Sequence, residues 1–357
     1  MSKVILAGYY GYDNTGDEAI VSVLASSLKN DDRIQRVTVL SQHPHATAKE
    51  HEVHSIFRYD LPRVLQVLRQ GDALVLSGGL MQDVTSSRSL WYYLTLTRLG
   101  LKLGCKVYWH AMGIGPVQSP HNRRRLMRLA NRLTGLSVRD HYSASFLPGA
   151  KLVPDPALLL DAAPAGRVQR IFRMLGEPYG KGTVLGIALR PWGGFPGQIE
   201  QVAYLADELA RRFDAKILFL PLHFEQDLPL IQDVIKLMKE EALCLGLPIP
   251  PEDMAGVIQS CDLVISMRLH ALIFAAVCGT SFVALETDPK IGAFAALTNE
   301  KALSCTDEQF PVASIIEDVA VKLPRSRRYD RDRRQLVLEL QSQSRSGLEE
   351  LIEDICR

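Results

Sequence analysis

No Cys-x-x-Cys spacing occurs in this 357-residue sequence, and its six cysteines, at 105, 244, 261, 278, 305 and 356, join no histidine cluster. That argues against a zinc site or a dithiol redox motif. Most of these cysteines lie in apolar stretches, as the reduced core thiols of a cytoplasmic protein do. An excess of one charge is also missing: 41 Lys and Arg stand against 40 Asp and Glu, a formal net charge of +1. There is no global field to gather nucleic acid, so a nucleic-acid partner is not expected. Long apolar runs are lacking too. The most apolar stretch, 269–285, is broken by His270, Gly279, Thr280 and Ser281, and reads as buried helix plus strand rather than a membrane span. The start, MSKVILAGYYG, has one lysine and a short apolar run, unlike a signal peptide. G-x-G-x-x-G and Gly-Lys-Ser/Thr loops are absent, as are a metal cage and a Ser or Cys nucleophile with an obvious partner.

What is present is ordinary globular composition, 47% hydrophobic and 23% charged, with a length suited to roughly two domains. Short apolar runs at 4–7, 37–40, 73–76, 106–109 and 136–138 read as buried strands. Amphipathic segments at 18–28, 61–69, 89–103 and 122–133 read as helices between them. The alternation predicts βαβ units and a parallel sheet covered on both faces. A stretch rich in proline, with Pro154, Pro156, Pro164 and Pro178, interrupts the rhythm and marks a boundary near 160–180. Strands are then expected at 184–189, 216–220, 263–266 and 282–285, and helices at 199–213, 228–241, 251–259 and 269–277. The domains so read are 1–165, 180–325 and a C-terminal helix at 326–357. GDALVLSGG at 71–79 is weakly echoed by CDLVISMR at 261–268. Two such α/β halves would enclose a cleft, with ligands at the carboxyl ends of the strands.

Several segments at those ends could carry chemistry. GYYGYDNTGDEA (8–19) offers close backbone approach and a helix start near Asn14, Gly16 and Asp17, for binding or merely for a tight turn. In SGGLMQDVTS (77–86), Gly78 and Gly79 end a strand, and Asp83 could accept from a sugar or cap the helix region near Ser89. His110, following a strand and preceding a Gly-x-Gly-Pro turn, reads as structural more readily than catalytic. Arg139 of SVRD could pair with Asp140 or a neighbouring carboxylate, or aim a guanidinium fork at an anion. VISMRLHAL (264–272) is the sharpest: a helix start, Arg268 and His270 lie together, suited to holding an anion and moving a proton. Arg190, His223 with Asp227, and Glu286, Asp288 and Lys290 follow other strands of the same half. Repetition along one edge favours a polar, anion-binding site.

GYYGYDNTGDEA, SGGLMQD, GIGP, SVRD, PDPAL, LRPW, SMRLHALIFA and TDPK occur in that order over roughly 4–295. Together they resemble the polysaccharide pyruvyltransferase family, close to its CsaB type. The resemblance implies a GT-B-like pair of Rossmann-like domains facing across a cleft. It also implies transfer of a pyruvate ketal from phosphoenolpyruvate, the donor substrate, with no cofactor. The implied acceptor is a sugar, N-acetylmannosamine of a lipid-linked cell-wall polymer precursor. Matched motif by motif, Arg139, Arg268 and Lys290 would bind the donor's carboxylate and phosphate, and His270 would be the general acid and base. The glycine loop with Asp17, and Asp83, would lie on the acceptor side. The sequence departs from the family pattern at Ser77-Gly78-Gly79-Leu80 and at Ala111-Met112 before Gly-Ile-Gly-Pro.

Arg123, Arg124, Arg125, Arg128 and Arg132 alternate with Leu126, Met127, Leu129 and Leu133. Such a basic amphipathic helix can rest on anionic lipid at the inner face of a membrane, or simply form a solvated face. The rival functions are a GT-B glycosyltransferase using a nucleotide sugar and a non-catalytic two-domain binder of an anionic sugar.

Overall fold

A computed structural model describes residues 1–84, 87–193, 197–305, 310–325 and 331–357. Thr85 and Ser86 of the second loop, Gly194 of the LRPWGG segment and the first residues of the expected C-terminal helix domain lie outside the described residues. The chain divides into two compact units. Unit 1 comprises 1–159 and 340–357, and unit 2 comprises 160–339.

Unit 1 holds β1 (Ser2–Ala7), β2 (Ile34–Ser41), β3 (His54–Phe57), β4 (Ala73–Leu76), β5 (Lys106–Met112), β6 (Gly135–Val138) and β7 (Lys151–Leu152). They form one parallel sheet in the order β3-β2-β1-β4-β5-β6-β7. Unit 2 holds β8 (Thr183–Ala188), β9 (Ala215–Phe219), β10 (Ala242–Cys244), β11 (Leu263–Ser266), β12 (Ser281–Glu286) and β13 (Ala302–Ser304), again all parallel, in the order β10-β9-β8-β11-β12-β13. Both orders reverse direction beside the first strand of the unit, the Rossmann arrangement. The central strands are apolar on both sides because helices cover both faces; Ala73–Leu76 and Leu263–Ser266 are buried throughout.

The α/β alternation is therefore as read from the sequence, with four strands added. His54–Phe57, Lys151–Leu152, Ala242–Cys244 and Ala302–Ser304 lie toward the sheet margins, short and partly exposed, so they lack the apolar run that marks a central strand. A helix, Pro44–His51, was also unexpected, since its composition is polar. The helix expected at 228–241 is Phe224–Leu237. Pro229 suggests a first turn, yet the helical ladder already begins when Asp227 N–H donates to the His223 carbonyl at 2.8 Å. His110 lies inside β5 rather than after it. The strand runs on to Met112 through an irregular register, with Ala111 at φ +46° and its N–H donating to Ser137 Oγ at 2.9 Å.

The terminal helix Arg331–Cys356 is not a separate domain, for its residues from Leu340 onward belong to unit 1. Lys106 Nζ donates to the Asp354 carbonyl and Tyr108 OH to the Asp354 carboxylate, both at 2.9 Å, while Leu348, Leu351, Ile352 and Ile355 are buried. Burial raises the thiol pKa of Cys261, Cys278 and Cys305 to about 12, so these are not reactive thiolates.

Candidate active site

At the carboxyl edge of the unit 2 sheet, each central strand delivers a polar side chain through a short loop. Arg268 follows β11 and is the N-cap of helix Leu269–Cys278. Ser266 Oγ fixes its backbone twice, accepting from Arg268 N–H and donating to the Arg268 carbonyl, both at 2.8 Å. The guanidinium pairs side-on with Asp227: Nε donates to Oδ2 at 3.1 Å and Nη2 to Oδ1. Asp227 is fully buried and also accepts from His223 N–H at 2.9 Å. A guanidinium has five donors, so this pairing leaves others for a ligand while locking the fork's direction.

Arg190 follows β8, and Asp288 and Lys290 follow β12. Asp288 caps helix Pro289–Leu297, accepting from Lys290 N–H at 3.1 Å. Its Oδ2 is shared by Arg190 Nη1 at 3.8 Å and Lys290 Nζ at 3.9 Å. One carboxylate thus serves two cations, neither closely. Burial, reinforced by the charge of Arg268, pushes the Arg190 guanidinium below its usual pKa. Arg190 Nε and Thr287 Oγ1 are buried and have no hydrogen-bond partner among the described residues. Both atoms are therefore available to a ligand at this edge. Burial and Arg268 likewise lower the His223 pKa, favouring a neutral imidazole at the start of helix Phe224–Leu237. His270, half-buried, occupies the second position of the helix that Arg268 caps. Asp288 thus joins Arg190 and Lys290, and Asp227 joins Arg268 and His223, with His270 on the first turn beside Arg268.

The carboxyl edge of unit 1 carries a second polar group. Asn14 caps helix Thr15–Lys29, accepting from Gly16 N–H at 3.3 Å, and its amide donates to Asp17 Oδ2 at 2.6 Å. The buried Asp17 carboxylate lies against Gly78, where a Cβ would meet it at 3.0 Å and where φ is +108°. Only glycine suits that position, and Gly79 follows it, half-buried. Arg139 is buried, with Nη1 on Asp155 Oδ2 at 2.8 Å and Nε 3.5 Å from Asp140. Its pairing alternative thus describes this conformation, and the partner that local spacing could not reveal is Asp155 of the PDPAL segment. Gly113 makes room for the pair, since a Cβ there would meet the guanidinium at 2.8 Å. Among the described residues, the Asp83 side chain bonds to the segment before a later helix rather than to the region near Ser89. It accepts from Gln118 N–H at 2.7 Å, Ser119 N–H at 3.1 Å and Asn122 Nδ2 at 2.9 Å, and so holds the start of helix Pro120–Ala130. His110 is buried, and burial lowers its pKa to about 4.

A feature missed in the sequence surrounds Arg58, just after β3. This buried guanidinium lies 4.4 Å from the Tyr92 ring centroid and 5.3 Å from those of Tyr12, Tyr59 and Tyr93, and donates to the Gly8 carbonyl and to Tyr93 OH. Tyr9 and Tyr12 stack at 4.0 Å beside it. The result is an aromatic wall on the glycine loop, of the kind that packs against sugar rings. An arginine beside tyrosine in FRYD and the YY pair at 92–93 were its available signals.

Solved structures similar to this chain share its fold at low identity. UDP-GlcNAc 2-epimerase from Neisseria meningitidis, bound to UDP-GlcNAc, aligns with a TM-score of 0.67 and 12% identity, over 99% of this chain and 100% of that one. HepE from Anabaena, in complex with UDP-glucose, gives 0.63 and 15%, over 98% and 99%. A glycosyltransferase from Rickettsia africae gives 0.60 and 10%, over 99% and 98%. The likeness shows the fold alone: two parallel-sheet α/β domains of the GT-B-like class. No curated protein matches the sequence. The family model for polysaccharide pyruvyl transferase, however, matches residues 14–289, well over half the chain, from the cap Asn14 to the helix start beside Lys290. This chain belongs to the polysaccharide pyruvyl transferase family, and is an enzyme of transferase type in polysaccharide biosynthesis.

Proposed function

We propose that the enzyme transfers a pyruvate ketal from phosphoenolpyruvate to a sugar hydroxyl pair and releases phosphate, in the manner of the CsaB type. The proposed acceptor is N-acetylmannosamine of a lipid-linked cell-wall polymer precursor, met on the cytoplasmic side of a membrane. One observation carries the donor assignment. The unit 2 edge gathers Arg190, Arg268 and Lys290 around shared carboxylates and leaves Arg190 Nε and Thr287 Oγ1 unsatisfied. A small ligand with a carboxylate and a phosphate suits such a set.

The chemistry asks for the same groups. Protonation of the terminal enol carbon makes the adjacent carbon electrophilic. One sugar hydroxyl adds there and loses its proton. The phosphate then leaves, and a second hydroxyl closes the cyclic ketal, giving up its own proton. His270 is assigned the proton transfers. Arg268, Arg190 and Lys290 neutralise the carboxylate and the departing phosphate, with the start of helix Leu269–Cys278 contributing its N–H groups. His223, held neutral, is assigned to hydrogen-bond the donor. Asn14, Gly16, Asp17, Gly78 and Gly79, with the Tyr9–Tyr12 stack, are assigned to the acceptor. Arg139 and Asp83 shape their loops through the ion pairs and caps described above.

The test is incubation with phosphoenolpyruvate and synthetic N-acetylmannosaminides, reading free phosphate and a carboxyethylidene mass gain on the acceptor. A parallel arm supplies UDP-sugars. Sugar transfer from UDP-sugars, with no phosphate released from phosphoenolpyruvate, would overturn the proposal.

A further inference from the structure

Between residues 84 and 139 the sequence contains ten Lys and Arg and no Asp or Glu. In a protein of net charge +1 this is a strong local asymmetry, and the fold concentrates it. Helix Ser87–Lys102 packs beside helix Pro120–Ala130. Beyond Ser87, the exposed positions of the first are Arg88, Trp91, Thr95, Arg98 and Lys102, spaced by three or four residues and hence on one face. The second buries Leu126 and Ala130 and exposes Arg123, Arg124, Met127 and Arg128, with Arg132 exposed just beyond. Arg125 joins the two helices, its guanidinium 3.9 Å from the Trp91 ring centroid.

Among the described residues none of the cations on these two helices, nor Arg132, forms an ion pair with a carboxylate. The acids flanking the stretch are turned to other work. Asp83 caps helix Pro120–Ala130, and Asp140 accepts from Ser143 N–H beside Arg139. Large apolar groups stand exposed amid the charge: Trp91 at 40%, Met127 at 42% and Val84 at 54% of their surface. An apolar pocket of about 440 Å³, lined in part by Pro116, Val117, Met127, Tyr142 and Phe146, opens at the same helix. Cations alone suit any polyanion. Cations interleaved with an exposed indole and a thioether suit a surface that is anionic outside and apolar within.

We infer that the face shared by helices Ser87–Lys102 and Pro120–Ala130 docks on an anionic lipid bilayer. Among the described residues no helix is long and apolar enough to cross a membrane, so the contact is peripheral. Trp91 and Met127 enter the headgroup layer, and the arginines bind lipid phosphates. The docking is independent of which donor the enzyme uses.

Flotation of the full chain with phosphatidylglycerol-containing vesicles, compared with pure phosphatidylcholine vesicles, tests this. Binding to the first and not to the second is expected, weakening as salt rises. Each basic residue near an anionic surface strengthens partitioning roughly fivefold, so Arg124→Gln with Arg128→Gln should cost roughly 25-fold. Trp91 emission should shift to the blue on anionic vesicles, and Trp91→Phe should remove that shift, leaving Trp109 and Trp192 as unchanged references. Equal partitioning to both vesicle types overturns the inference, as does an unaltered Trp91 spectrum. Binding to single-stranded DNA in preference to vesicles overturns it in favour of a nucleic-acid surface.

Discussion

At the residue scale, the two side chains of the SMRLHA block have separable tasks. Arg268 is held by Asp227 and presents its remaining donors; His270 lies two residues further on, in the first turn of the helix that Arg268 caps. His270→Ala should lower turnover on the order of 100- to 10,000-fold while leaving phosphoenolpyruvate affinity nearly intact, measured by phosphate release and calorimetry. Normal turnover would remove it from the chemistry. Arg268→Ala should instead weaken phosphoenolpyruvate binding, and it also strands the buried Asp227, at a cost of about 3–5 kcal/mol in stability. Arg268→Lys keeps the charge and loses the fork, so weaker donor binding by the lysine variant in a folded protein isolates recognition from stability. An unchanged dissociation constant in both would contradict the assignment.

His110 bears on stability. Burial lowers its pKa from 6.5 to about 4, so the folded chain refuses a proton that the unfolded chain accepts between those values. The stability it contributes is present above pH 6.5, fades as pH falls toward 4, and is about 3 kcal/mol in all. Urea unfolding followed by emission of the buried Trp109 should show His110→Asn losing less stability than the parent between about pH 7 and about pH 4. Parallel losses would contradict this origin.

At the element scale, caps explain where helices begin. Asn14, Asp60, Ser119, Asp140 and Asp288 all accept from first-turn N–H groups. The helices after Asp140 and Asp288 were not expected, but the starts after Asn14, Asp60 and Ser119 were legible, because a capping side chain and its helix are neighbours in sequence. Asp83 was not, because it lies 35 residues before Gln118, whose N–H it accepts. Slight burial opposes its charge, yet its hydrogen bonds to Asn122, Gln118 and Ser119 prevail and hold the carboxyl below its usual range. Asp83→Ala should destabilise helix Pro120–Ala130 by about 1–2 kcal/mol, seen as faster amide exchange confined to that helix. Unchanged exchange would mean that Ser119 alone supplies the cap.

At the scale of the whole molecule, the chain returns to its beginning. Residues 340–357 complete unit 1, burying Leu340, Leu348, Leu351, Ile352 and Ile355 there. At about 1.5–3 kcal/mol each, these side chains rival the stability of an entire domain. A chain ending at Glu339 should therefore lose unit 1, with Trp109 emission shifting to the red, while unit 2 stays resistant to protease. A native Trp109 spectrum in the shortened chain would show that the terminal helix is dispensable.

The sequence by itself determined the α/β alternation, the family and the close spacing of Arg268 and His270 at one helix start. Those features are local: a strand's apolar run, the loop after it and the next helix start lie within about ten residues of one another. Only the tertiary structure decided that Arg139 pairs with Asp155, that Arg268 is oriented by Asp227, that Arg58 sits among four tyrosines, and that the terminal helix belongs to unit 1. Each of these joins groups far apart in the chain. Their pairing is set by how helices pack on a sheet and by the need to give buried charge a partner, which no short stretch of sequence encodes.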